Sequence, residues 1–207
     1  MEEMTVKTPK LLLSFVVDNS ASVKGERLGE LMRAFRAFAT EAPDFLEWEL
    51  LTFDTFAPAV IKNFTAPDIA PVSAGRFPLL GRAIMTAADR LDARAKALRE
   101  AGERVYRPWM FVLSDGFTVD AMEEVCARLE RMEKAEELLY LPFKLSSQLT
   151  TERLQCMDRG KHMIEIVAGG VDGFFAFVKG MIDQRATLAP DAKVKFSKND
   201  FEGWAVL

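Results

Sequence analysis

The chain has 207 residues, 49% of them hydrophobic and 28% charged, enough for one domain with a sizeable core and too apolar for a disordered chain. Its net charge is −4, with basic residues scattered among acids, which argues against a nucleic-acid surface. The first apolar run contains Ser14 and ends in Asp18, too short and too soon charged for a signal peptide or membrane span. The expectation is therefore a cytoplasmic protein without a membrane partner.

Residues 11–17 predict a strand buried on both faces, and Leu28, Leu31, Met32, Phe35 and Ala39 recur at helical spacing over 26–40. Residues 48–53 and 59–64 flank a turn at 54–58 and predict a hairpin with its second strand at the sheet edge. A loop rich in Pro, Ala, Ser and Gly over 65–78 leads into a long amphipathic helix at 80–101 and a strand at 109–113. Helix 119–136, strand 138–145, short helix 151–157, strand 162–167 and helix 171–182 complete the alternation. These elements predict an α/β fold: a three-layer, doubly wound, Rossmann-like sheet of six mostly parallel strands with one antiparallel edge strand. The domain spans 9–185, and the tail 186–207 is expected as an irregular segment folded back on or near it.

The strand order 3-2-1-4-5-6 would bring the turns after Val17 and Leu113 together at the topological switch point. Asp18, Ser20 and Ser22 follow the first of those strands and Asp115-Gly116 the second. Two adjacent carboxylates do not both stay ionised cheaply without a cation, and neighbouring serine hydroxyls suit magnesium, which takes oxygen donors at ~2.0–2.1 Å. Singly, Ser20 and Ser22 read as helix caps and Asp115-Gly116 as an ordinary turn with Asp120 as a cap. Their placement at matching strand ends is what points to an ion site.

Catalysis is not indicated. His162 is the only histidine and opens a predicted strand, and no glycine-rich phosphate loop follows a strand. Cys126 and Cys156 stand apart without metal-ligand spacing and read as core thiols in a reducing compartment. Phe35, Phe38, Phe174, Phe175 and Phe177 read as core, and Arg82, Arg90, Arg94, Lys96 and Arg99 as the solvated face of one helix.

With these pieces in order, the chain resembles a von Willebrand factor A domain over residues 9–185. The matching motifs are Asp18-x-Ser20-x-Ser22, Thr52-Phe53-Asp54, Leu80-Gly81-x-Ala83-Ile84 and Leu113-Ser114-Asp115-Gly116. Within the family it looks most like the small stand-alone bacterial proteins associated with tellurium resistance, through Thr118, Asp120 and the pair Phe174-Phe175. The resemblance implies a non-enzymatic interaction module in a bacterial stress-response setting. Its metal-ion-dependent adhesion site would hold magnesium, or manganese or calcium, at Asp18, Ser20, Ser22 and Asp115 and bind a partner protein's Asp or Glu. The sequence departs from the family in the second loop, where Arg76, Phe77 or Pro78 stands in place of the usual threonine. Water could fill that position, or the Arg76 guanidinium could neutralise the aspartates without any ion. The alternative function is then a metal-free adaptor that binds partners through its surface helices and tail.

Overall fold

Strand β1 (Leu11–Asp18) is buried at every position, as a central strand covered on both faces must be. It pairs in parallel with β2 (Leu46–Phe53) on one side and β4 (Trp109–Ser114) on the other. With β3 (Ala59–Lys62), β5 (Leu139–Lys144), β6 (Ile164–Ile166) and β7 (Ala205–Val206), the sheet runs β3-β2-β1-β4-β5-β6-β7. The computed structural model describes residues 8–20, 23, 26–53, 58–66, 68–69, 79–116, 118–145, 164–189 and 192–206. The expected helix 151–157, His162 and most of the 65–78 loop lie outside them.

Six strands are expected, and the described residues form seven. Both edges are antiparallel, β3 against β2 and β7 against β6. The tail hides its strand because two residues are too few to show alternation. Cys126 is also corrected, since it is disulfide-bonded rather than a free thiol. Cys156 lies outside the described residues. A disulfide at Cys126 gives no support to a reducing compartment.

Helices α1 (Glu26–Glu41) and α4 (Val171–Thr187) cover one face of the sheet, and α2 (Leu80–Glu100) and α3 (Glu123–Lys134) the other. On the first face Phe15 is the hub of an aromatic core, its ring centroid 4.9 Å from Phe35, 5.7 Å from Phe111 and 6.1 Å from Phe175. On the second, Leu12 and Val16 share a cluster with Leu91 and with Ala83, Ala87 and Ala88, whose small side chains let α2 lie close to the strands. Helix α3 begins later than its apolar period predicts because residues 118–120 are diverted to another task, described below.

The tail is held by a notch in α4. A Cβ on Gly173 would lie 2.3 Å from Trp204 Cβ, so only glycine admits the indole there. Trp204 packs against Phe143, Phe174, Phe177 and Phe201, and its Nε1 donates to Asp200 O at 2.8 Å. Buried Arg185 lies over the Tyr106 ring and donates to Leu188 O, Ala189 O and Ala192 O, fixing the exit from α4. Gly173→Ala is therefore expected to cost about 1–3 kcal/mol through overpacking and to red-shift tryptophan emission. Gly180→Ala on the same helix meets nothing within 4 Å and should stabilise slightly. Equal melting temperatures for the two variants would refute the notch.

Candidate functional site

The register that pairs Val17 with Leu113 brings the carboxyl ends of β1 and β4 side by side. Asp18, the last residue of β1, is fully buried, and Ser20, Ser114 and Asp115 are almost as inaccessible. Ser20 N donates to Asp18 Oδ1 at 2.8 Å, and the Ser114 hydroxyl donates to Asp18 Oδ2 at 3.1 Å. Gly116 N in turn donates to the Ser114 hydroxyl at 3.1 Å. Gly116 sits at φ 93°, a conformation that admits glycine and explains the Asp-Gly turn. Burial raises the Asp18 pKa to about 6, its hydrogen bonds with Ser20 oppose that, and the charge of Asp115 adds to it. The two strand-end carboxylates thus act on each other as like charges.

The segment that follows β4 also reaches α2. Helix α2 has no side-chain cap of its own at Leu79. Its first amides are taken across the crevice: Leu80 N donates to Thr118 Oγ1 at 3.2 Å, Gly81 N to Asp120 Oδ1 at 3.2 Å and Arg82 N to Asp120 Oδ2 at 2.8 Å. Thr118 Oγ1 also donates to Asp120 Oδ1, which locks the two side chains together. Asp120 is a helix cap, as its residue type suggests, but for α2 rather than for the helix that follows it. This is the task that delays α3.

No protein-family model and no curated protein matches the sequence. Solved structures do. The SpRpn10 VWA domain is similar over 75% of this chain and 83% of its own, with TM-score 0.54 and 13% identity. The fold is that of a von Willebrand factor A domain. An aerotolerance-related membrane protein from Bacteroides fragilis NCTC 9343, in a form with multiple mutations to serines, is similar over 84% of this chain and 99% of its own, with TM-score 0.55 and 13% identity. In the A-domain fold the crevice between β1 and β4 is the switch point of the sheet, the place where open α/β sheets receive ligands.

Of the residues predicted for that crevice, the structure brings Asp18, Ser20 and Asp115 to it. Ser22, Arg76, Phe77 and Pro78 lie outside the described residues. Ser114 is not among the ligands that the sequence predicts, yet its hydroxyl joins the two strand ends; its place as the last residue of a strand before an aspartate is the signal in the sequence. Thr52, one residue from the end of β2, has a buried hydroxyl with no hydrogen-bond partner among the described residues.

The donor set fits a hard cation in kind. Two carboxylates and serine hydroxyls are oxygen ligands, and two like charges in a buried crevice are what a divalent ion offsets. Among the described residues no three His, Cys, Asp or Glu side chains cluster, so hydroxyls and water would complete the coordination. No helix among the described residues is long and apolar enough to cross a membrane.

Proposed function

We propose that this A domain is a non-enzymatic protein-binding module whose binding centre is a Mg²⁺ site at Asp18, Ser20, Ser22 and Asp115. One observation carries it: Asp18, the last residue of β1, is buried beside Asp115, the residue that follows β4, at the switch point of the sheet. When bound, the ion would supply an open coordination position for an Asp or Glu of a partner. The chain's own part is to present the oxygens. The Ser20 amide and Ser114 hydroxyl hold both oxygens of Asp18 in place. Asp120 closes the amides of α2 to outside anions, so a partner's carboxylate finds no ready cradle there without a cation. The bacterial stress-response setting and the cytoplasmic location belong to this proposal as well.

A second reading is a metal-free adaptor. It is favoured by the Ser20 amide and the Ser114 hydroxyl, which already hold both Asp18 oxygens without an ion; below about pH 6 a proton relieves the crevice as well. Its expected surface is smaller than the sequence promises, because Arg90 and Arg94 of α2 are engaged with Glu49 and Glu47 of β2. Calorimetric titration of the metal-stripped protein with Mg²⁺ and Mn²⁺ separates the two readings. Heat saturating at about one ion per chain and lost in Asp115→Ala supports the metal site; no binding at millimolar ion assigns the protein to the adaptor class.

A further inference from the structure

We infer that Asp120 is a positioning residue of the site, fastening the loop that carries Asp115 to the first turn of α2. The inference rests on the Mg²⁺ reading above, which uses Asp120 only to close the α2 amides, and gives the residue a second role in placing Asp115. The loop from Ser114 to Asp120 is pinned at both ends. At its start the Ser114 hydroxyl bonds Asp18 and receives Gly116 N. At its end Thr118 and Asp120 take the amides of Leu80, Gly81 and Arg82. Asp115 lies between the pins, so its distance from Asp18 depends on both.

Two features make the second pin specific. The Asp120 carboxylate uses both oxygens, and it does so at the positive end of a 21-residue helix, where a charge adds to the hydrogen bonds. The approach is also close: a Cβ on Gly81 would stand 3.1 Å from Asp120 Oδ2, Ala121 O and Met122 Sδ. Gly81 is therefore the complement of Asp120, which gives the Leu80-Gly81 motif a physical reason. Residues outside the coordination sphere that orient ligands typically change metal affinity by about 10–100-fold when removed.

Two variants reach the clamp from opposite sides. Asp120→Asn keeps the size of the side chain but offers one acceptor where two amides need two. Gly81→Ala leaves Asp120 intact and pushes it away by a few tenths of an ångström, while improving helix propensity. Mg²⁺ affinity is read by calorimetry beside the melting temperature of each metal-free protein. The expected result is binding weakened about tenfold or more in both variants. The melting temperatures should diverge, lower for Asp120→Asn than for Gly81→Ala, because affinity follows the loop and stability follows the helix. A purely structural cap would lower stability and leave the affinity of the folded protein unchanged. Parental affinity in both folded variants overturns the inference and spares the metal site. A parent that takes up no Mg²⁺ overturns both.

Discussion

Asp18→Asn is expected to stabilise the metal-free protein by about 2 kcal/mol at pH 7 and to abolish its response to Mg²⁺. The folded-state pKa of Asp18 is raised from 3.8 to about 6, chiefly by burial, with Asp115 adding to it. Each unit of displacement is about 1.4 kcal/mol, so holding the ionised form in the crevice costs about 3 kcal/mol at neutral pH. Asparagine removes the charge and keeps an acceptor for Ser20 N or the Ser114 hydroxyl, though not for both, which reduces the gain. The sign with pH follows from the raised value. Below about pH 4 both states are protonated and the group costs nothing; between 4 and 6 the unfolded chain releases its proton first and stability falls; above 6 the cost is complete. Urea unfolding at pH 5 and pH 7 should therefore show the parent losing stability with pH across this window, with the Asn variant lacking that contribution. Saturating Mg²⁺ at about 100 Kd should return about 2.7 kcal/mol to the parent and nothing to the variant. A metal-free Asn variant that melts below the parent would mean that Asp18 acts mainly as an acceptor for the loop amide.

The strand ends were legible because an apolar run that stops at an aspartate needs only local reading, and the crossover rule supplies which ends meet. Sequence reasoning failed where a residue's task lies across the fold. Residues 119–122 keep a helical period, but Asp120 is claimed by α2, so α3 starts at Glu123. Ala205–Val206 becomes a strand only because Trp204 is seated in the Gly173 notch. Arg90 and Arg94 look like a solvated face by periodicity. Their long stems carry the guanidinium groups back to β2, a reach that a helical wheel does not represent. Glu49 misleads in the opposite sense, since a charged residue in a strand suggests an exposed position and this one is fully buried.

That burial gives the second large effect, at Arg90. Its Nε lies 2.6 Å from Glu49 Oε2, the Ser14 hydroxyl donates to Glu49 Oε1 at 2.9 Å, and Arg90 Nη2 donates to Asn63 Oδ1 at 3.0 Å. Burial pushes the Glu49 carboxyl above its ordinary range, while Arg90, Ser14 and the charge of Lys62 pull it back. Arg90→Met keeps an unbranched apolar stem and removes the guanidinium, which lies 6.0 Å from the Phe64 ring centroid, leaving a buried carboxylate with Ser14 and the charge of Lys62. Breaking a buried pair in this way costs about 3–5 kcal/mol, and the remaining partners place this case near 3. Losing the arginine raises the folded-state pKa of Glu49 further above its unfolded value. The penalty is then larger at pH 7 than at pH 5, where the folded protein retains the proton. Adding Glu49→Gln should recover most of the loss, because an amide beside Ser14 has no charge to strand. Urea unfolding of the two single variants and the double variant tests this directly. A cost below about 1 kcal/mol at pH 7, or one that does not change with pH, would show that the pair is solvated like an ordinary surface bridge.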